Sequence, residues 1–292
     1  MTTVMPTLVC ADLDRTLIYS RAALGGGAPA REEAPLLCVE LYQNRPLSYV
    51  TRIAAGRLER LGGTALLVPT TTRTPEQYAR VRLPGGPSRY AICANGGRLL
   101  VDGVEDADWS ARVRARTAEC ASPDEVFGHL AAVSGDFGIR PRIASELFCY
   151  LVADRAVPPA GWITELTGWC AERGWTTSVQ GRKVYCLPRA LTKSAAAVEV
   201  ARRTGARALL AAGDSLLDGE LLETADAAIR PAHGELAEAG RVSSRIRVTA
   251  ARGVTAGEEI AGWLLDRALD PALIPATGLW RTLPLGTPSS SP

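Results

Sequence analysis

Thr7-Leu-Val-Cys-Ala-Asp12-Leu-Asp14-Arg-Thr16 decides the fold. A short apolar run passes without a break into an acid, and a second acid follows two positions later. An uninterrupted run of this kind reads as a strand buried on both faces, as inside a parallel sheet. The acids then stand at the strand's carboxyl end, where open α/β sheets keep their functional loops. Residues i and i+2 of an extended chain point to one side, so Asp12 and Asp14 are expected to face one spot. Two carboxylates that close need a cation or a proton between them. With only oxygen donors available, a divalent metal is the natural solution, and Mg²⁺ is favoured.

The same grammar recurs outward from this stretch. Ala65–Val68 reads as a second buried strand, followed by Thr70-Thr71-Thr72-Arg73, which places the Thr71 hydroxyl at the same sheet edge. Thr74, Pro75 and Gln77 then form a capping box that opens a helix. Ala208–Ala212 enters Gly213-Asp214-Ser215-Leu216-Leu217-Asp218, a second acidic cluster at that edge. Lys193 opens a helix over about 194–204. A hairpin is expected from Leu36–Tyr42 and Pro46–Val50, then a helix over 51–61. Near the end come a strand, Ile246–Thr249, and a helix capped by Thr255 and Glu258.

After Leu83-Pro84-Gly85-Gly86-Pro87 the rhythm changes to α+β. Ser122-Pro123-Asp124-Glu125 starts one helix, Ile143–Val152 reads as one strand, and a helix over 160–173 stops at Gly174. Thr176–Val179 and Lys183–Leu187 form a hairpin around Gln180-Gly181-Arg182. The expected fold is therefore α/β, a Rossmann-like parallel core carrying an inserted α+β domain. Residues 1–87 and 188–270 form the core, 88–187 the insertion, and 271–292 a loosely held Pro/Ser-rich tail. Residues 20–35, rich in Gly, Ala and Pro, read as a mobile loop.

Composition excludes several classes. Hydrophobic residues make up 47% of the 292 and charged residues 22%, enough for a full core and against dominant disorder. No uncharged apolar run approaches the ~18 residues that span a bilayer, and the N-terminus lacks the features of a signal peptide, so the expected compartment is the cytoplasm. Net charge is +2 with mixed signs and no basic stripe, which argues against a nucleic-acid partner. The seven cysteines are scattered and never paired as C-x-x-C, and His129 and His233 are the only histidines, so neither a disulfide framework nor a His-rich metal site is expected. Of 33 basic residues only Lys183 and Lys193 are lysines, in a chain that otherwise uses arginine.

Asp12-x-Asp14-x-Thr16, Thr71, Lys193 and Gly213-Asp214 occur in order, with the insertion between the second and third. In that order they resemble the four motifs of the haloacid dehalogenase (HAD) superfamily, over everything but the tail. Arg89-Tyr-Ala-Ile-Cys-Ala-Asn95-Gly96-Gly97 looks like the strand and Asn-Gly that open a C2-type cap, and Val184–Pro188 with Thr192-Lys193 looks like its exit. The chain is thus similar to Cof-like and sucrose-phosphate-phosphatase-like sugar phosphatases. Two positions depart from those relatives: Leu217, where Asn is frequent, and Arg15, where many have Gly.

The resemblance implies a Mg²⁺-dependent phosphomonoester hydrolase working through an aspartyl-phosphate. Its substrate would be a small phosphorylated metabolite, a sugar phosphate or a sugar-containing, nucleoside-like phosphate, with no nucleic-acid or membrane partner and the oligomeric state open. Asp12 would be the nucleophile, Asp14 the general acid and base, and Thr71 and Lys193 the holders of the phosphoryl oxygens. Asp12, Asp214 and the backbone carbonyl of Asp14 would hold the metal, with Asp218 and Ser215 behind them. On the insertion Arg182 and Lys183 are candidates for a polar or second anionic group of the substrate; Arg45, with Glu40 and Tyr42, is a candidate for the entrance. A phosphomutase, and a non-catalytic binding protein on the same scaffold, are the alternatives.

Overall fold

The structure, a computed structural model, describes residues 5–25, 35–134, 140–153, 159, 161–275 and 277–282. Most of the expected mobile loop, 26–34, and the end of the chain, 283–292, lie outside these. The strands in chain order are β1 (Thr7–Ala11), β2 (Tyr19–Ser20), β3 (Leu36–Tyr42), β4 (Arg45–Thr51), β5 (Leu66–Pro69), β6 (Tyr90–Cys93), β7 (Arg98–Val101), β8 (Val104–Glu105), β9 (Arg142–Ala144), β10 (Phe148–Val152), β11 (Trp175–Gln180), β12 (Lys183–Pro188), β13 (Ala208–Ala212), β14 (Ala227–Arg230) and β15 (Ile246–Val248).

A parallel sheet ordered β15-β14-β13-β1-β5 forms the centre of the molecule. The unbroken apolar run of β1 follows from its place there. Leu8 and Cys10 pack into one core cluster and Val9 and Ala11 into another on the opposite face. Helices Arg52–Gly62 and Val254–Leu269 close the second face, burying Leu58, Leu61, Ile260 and Leu264, each worth about 1.5–3 kcal/mol against exposure. Helix Lys193–Thr204 covers the first face with Ala196, Ala197 and Val200.

Local signals set most element ends. The Thr51 hydroxyl accepts the Ala54 N–H at 3.1 Å to start one helix, and the Thr74/Gln77 capping box forms in full. At the tip of the β3–β4 hairpin, Gln43 and Asn44 both take positive φ, 50° and 59°, the conformation a right-twisted two-residue turn requires.

Three expectations are corrected and one core strand is unanticipated. Ile143–Val152 is two paired strands, β9 and β10, because Ser145 and Glu146 (φ 50° and 59°) make another such turn. The helix expected behind Thr255 and Glu258 instead begins at Val254, after Gly253, whose φ of 60° and close approach to the Leu24 carbonyl exclude a side chain. The Ala-rich β14, between β13 and β15, had no β-branched run to announce it. Residues 277–282 are not loosely held. The buried Asp226 carboxylate accepts the Gly278 N–H at 2.8 Å and the Trp280 Nε1–H at 2.7 Å, and the Trp280 ring is buried in the core.

Between residues 90 and 117 the chain stays against the parallel sheet. β6 lies alongside β5 through a parallel bridge between Thr70 and Ile92, and helix Ala107–Thr117 is tied to helix Lys193–Thr204 by Arg112–Glu199 at 2.6 Å. The antiparallel sheet β11-β12-β10-β9, with helices Pro123–Ser134 and Trp162–Ala171, stands beyond them. The segments Asn95-Gly96 and Leu191-Thr192, one on each side of it in the chain, are locked together. A Cβ on Gly96 (φ 93°) would lie 2.1 Å from the Thr192 carbonyl oxygen, and Asn95 Nδ2 donates to the Leu191 carbonyl at 2.8 Å. Among the described residues no helix is long and apolar enough to cross a membrane.

Candidate active site

The carboxyl end of β1 delivers Asp12, whose N–H donates to the Ala212 carbonyl at the end of β13 (2.9 Å). Beside it the Thr70 N–H donates to the Ala11 carbonyl at 2.8 Å, which brings the Thr70–Thr72 loop to the same sheet edge, where Thr71 Oγ1 accepts the Arg73 N–H at 3.1 Å. From the far side of the insertion comes Lys193, the first residue of its helix and 1% exposed. Its Nζ donates to Asp12 Oδ1 at 2.7 Å and to Asp218 Oδ1 at 2.6 Å. A helix-start lysine is ordinarily solvated; here two carboxylates offset the cost of burying it and hold its pKa up against that burial.

Asp218 spends its other oxygen on the loop it closes. Oδ2 accepts the N–H groups of Asp214 (3.2 Å) and Ser215 (2.9 Å) and the Ser215 hydroxyl (2.7 Å). Gly213 is required for this: a Cβ there would lie 2.3 Å from Asp218 Cγ. Asp218 and Ser215 thus shape the loop that presents Asp214.

Asp12, Asp214 and Asp218 each bring a carboxylate oxygen within 4.8 Å of the others. Burial, and then the neighbouring carboxylates of Asp218 and Asp14, push Asp12 up to about 7 in spite of Lys193. Burial with Asp12 and Asp218 raises Asp214 well above the usual carboxylate range. Its one cationic neighbour within 4 Å among the described residues is Arg15, at 3.8 Å. A buried cluster of oxygen donors with too little positive charge fits a hard divalent cation. With Asp218 committed to Lys193 and the loop, Asp12 and Asp214 are the side chains left to hold it.

A stability test follows from the Asp214 shift. Its folded pKa lies above its unfolded value, so the folded protein keeps a proton that the unfolded chain releases. Stability is therefore lost as pH rises from about 4 upward through the folded value. Asn at 214 has the same size and no charge. In EDTA at pH 8 Asp214→Asn is expected to melt above the wild type, by about 2–4 °C for each kcal/mol relieved, and to lose most of the Mg²⁺-induced rise in Tm. Scanning fluorimetry in both conditions measures this; a lower Tm in EDTA with the Mg²⁺ response intact would contradict it.

Asp14 lies outside the three-carboxylate cluster. Its half-exposed carboxylate is gripped by Arg73, with Nε to Oδ2 at 2.7 Å and Nη2 to Oδ1 at 2.8 Å. Its packed surroundings disfavour the charge, but this guanidinium, helped by Lys183 and Lys193, holds the carboxyl below its usual range. The other side of the same guanidinium bonds Glu40, Nη1 to Oε1 at 2.8 Å and Nη2 to Oε2 at 3.0 Å. Glu40 is therefore not an entrance residue: it is buried on β3, and also accepts Ser48 Oγ at 2.6 Å and Arg80 Nε at 3.3 Å. Arg73 had no assigned role in the sequence reading, although its place two residues after Thr71 was a usable signal.

Arg15 explains one departure from the relatives. Its φ is 64°, a conformation glycine adopts freely. The turn is held by the Arg15 N–H to the Ile18 carbonyl (2.8 Å) and by His233, whose Nε2 lies 2.8 Å from the Arg15 carbonyl oxygen. Because His233 Nδ1 accepts the Gly253 N–H at 3.2 Å, Nε2 is the donor. The imidazole braces the acidic loop from behind, and burial lowers its pKa.

Of the candidate substrate residues, Lys183 lies closest to the chemistry, acting electrostatically on Asp14. Arg182 is exposed at the β11–β12 turn and Arg45 at the foot of β4. Neither side chain bonds to Asp12, Asp14 or Asp214 among the described residues. The sequence also gave no role to Glu235, whose carboxylate joins cap and core. It accepts Ser178 Oγ (2.7 Å) and the Val179 N–H (2.7 Å) from β11, and the Leu216 N–H (2.9 Å) from the loop after Asp214.

No protein-family model matches the chain, and no curated protein does. Solved structures do. The sucrose-phosphatase of Synechocystis sp., solved with sucrose and phosphate, is 18% identical with a TM-score of 0.57 over 89% of this chain and 98% of its own. A trehalose-6-phosphate phosphatase related protein is 16% identical with a TM-score of 0.54 over 91% and 100%. A sugar phosphatase of HAD subclass IIB is 11% identical with a TM-score of 0.52 over 89% and 99%. With its parallel core sheet, its antiparallel cap and its acids at the end of β1 and β13, the chain has the fold of the HAD superfamily phosphatases.

Proposed function

We propose that the chain is a Mg²⁺-dependent phosphomonoester hydrolase acting on a small phosphorylated metabolite, a sugar phosphate or a sugar-containing, nucleoside-like phosphate, through an aspartyl-phosphate. One observation carries this reading: Asp12 gives one oxygen to Lys193 and keeps a second that accepts no hydrogen bond among the described residues, with Thr71 on the adjoining loop and Asp14 two residues on. The similarity to a sucrose-phosphatase, a trehalose-6-phosphate phosphatase related protein and a HAD sugar phosphatase supports a phosphatase of sugar phosphates. A cap bonded to the core through Glu235 favours a small substrate over a macromolecule.

The free oxygen of Asp12 attacks phosphorus as the bond to the leaving alcohol breaks, dividing one hard hydrolysis into two easier steps. Asp14 gives the leaving oxygen its proton, then takes one from the water that frees phosphate from Asp12. General acid–base help of this kind contributes ~10²–10⁴-fold. Arg73 favours the ionised Asp14 that the second step needs; an incoming phosphate dianion adds negative charge nearby and raises its proton affinity for the first. The Lys193 ammonium, fixed by Asp218, and the Thr71 hydroxyl stabilise the phosphoryl oxygens from preorganised positions. When bound by Asp12, Asp214 and the Asp14 carbonyl, Mg²⁺ supplies the positive charge that offsets repulsion between carboxylate and phosphate.

The test is phosphate release by the purified chain from a panel of sugar phosphates, nucleotides and a generic aryl phosphate, with Mg²⁺ and with EDTA. Release that needs Mg²⁺ is expected. No release from any member, the aryl phosphate included, or release that survives EDTA, would overturn the reading.

A further inference from the structure

The cap turns one face of its sheet toward the catalytic end of the core. In the antiparallel register Tyr185 on β12 stands opposite Tyr150 on β10 and Ser178 on β11, and Lys183 stands opposite Val152 and Gln180. Opposed residues share a face, and so do residues two apart. Ser178, Tyr185, Tyr150 and Lys183 are therefore on one side of the sheet. Ser178 identifies that side, because its hydroxyl reaches Glu235 of the core. The alternating residues Cys149, Leu151, Val184 and Cys186 lie on the opposite side, where Cys149 Sγ donates to the Pro123 carbonyl at the start of a cap helix.

On this core-facing side Lys183 stands apart from the other cations of the site. Lys193 is matched by Asp12 and Asp218, and Arg73 by Asp14 and Glu40. Lys183 has no carboxylate within 4 Å among the described residues. Its neighbours are two phenol rings, with Nζ 5.7 Å from the Tyr150 centroid and 5.9 Å from the Tyr185 centroid, and both tyrosines are buried. The carboxylate its charge acts on is Asp14, the group placed at the leaving-group oxygen. A half-buried ammonium with no carboxylate in direct contact gains from an anion brought by a ligand, whereas a neutral polyol adds no charge to match it.

We propose that Lys183, framed by Tyr150 and Tyr185, is the specificity determinant of the cap and recognises a second anionic group, a carboxylate or another phosphate, on the leaving alcohol. This rests on the phosphatase reading and narrows its substrate class to phosphorylated acids and bisphosphates. The tyrosines supply flat walls and hydroxyls for the intervening carbon skeleton, while Lys183 fixes the anion over Asp14. Binding and orientation of the leaving group then come from one contact, which raises kcat/KM for anionic alcohols over their neutral analogues.

The experiment measures kcat/KM on matched pairs: glucose 6-phosphate against 6-phosphogluconate, glycerol 3-phosphate against 3-phosphoglycerate, and fructose 6-phosphate against fructose 1,6-bisphosphate, with an aryl phosphate as reference. The wild type is expected to favour the anionic member of at least one pair tenfold or more. Carboxylate pairs and the bisphosphate pair distinguish the two sources of charge. Lys183→Met is expected to collapse that ratio at least tenfold, and Lys183→Arg to keep it. Aryl phosphate hydrolysis with neutral members favoured throughout, or a ratio that Lys183→Met leaves intact, overturns this proposal alone. Silence on every phosphate, the aryl ester included, overturns the phosphatase reading and this proposal with it.

Discussion

Asp12→Asn is expected to leave a folded protein that releases no measurable phosphate, with kcat down on the order of 10⁴–10⁶-fold, the scale on which nucleophile removal leaves only binding and electrostatics. The amide keeps the shape of the carboxylate, and its oxygen still accepts from Lys193, which retains Asp218 at 2.6 Å. The oxygen that would bond to phosphorus is then replaced by an amide nitrogen with no available lone pair. The fold should not suffer. Asp12 is a buried acid pushed up to about 7, so its ionisation costs stability as pH rises from the unfolded value near 4 through that value, above which the loss is complete. Removing it relieves repulsion in the metal-free protein. Steady-state phosphate release and Tm, measured together, separate the two effects. A folded variant keeping more than a few per cent of wild-type kcat would mean that Asp12 is not the nucleophile.

The parts of this site readable from the sequence are those whose causes are local. A strand buried on both faces must be apolar throughout, so β1, β5 and β13 announce themselves, and the residue after each falls at the carboxyl edge by construction. Asp218 belongs with them, because it sits four residues from the Asp214 N–H it accepts. The missed parts are pairings between distant segments. Arg73 and Glu40 are 33 residues apart, and Glu40 is the one charged residue in the otherwise apolar run of β3, with nothing local to name its partner. Glu235 and Ser178 are 57 apart. Asp226 and Trp280, 54 apart, dock a segment whose Pro, Ser and Thr content reads as a loose tail. In each case a buried or half-buried carboxylate binds donors from elsewhere in the chain, and neither period nor propensity encodes which donors. Arg15 lies between these cases: its left-handed φ explains the expected glycine, while the His233 brace that supports it comes from 218 residues away.

Arg73 joins the two kinds of information, and its removal should act on stability and rate at once. Arg73→Ala leaves the Glu40 carboxylate, fully buried, with Ser48 and the longer contact to Arg80 at 3.3 Å. Breaking a buried pair costs about 3–5 kcal/mol; with Arg80 remaining, the lower end is expected, about 3 kcal/mol or roughly 6–12 °C in Tm. The double variant Arg73→Met with Glu40→Gln removes both charges and should recover most of that loss. It should not recover rate. Asp14 loses the fork that fixes its orientation, and kcat is expected to fall about 10²-fold, within the range of lost acid–base help. The pH profile distinguishes this from a general loosening. Arg73 holds the folded pKa of Asp14 below its unfolded value, so the pair adds stability above the unfolded value and loses it as pH falls through the folded one. Without Arg73 that acidic dependence disappears from Tm, and the limb of the rate profile on which Asp14 must be ionised moves to higher pH. Wild-type Tm and an unmoved limb in Arg73→Ala would mean that the fork neither secures Glu40 nor sets the proton affinity of Asp14, and the acid–base role would have to be sought in another residue.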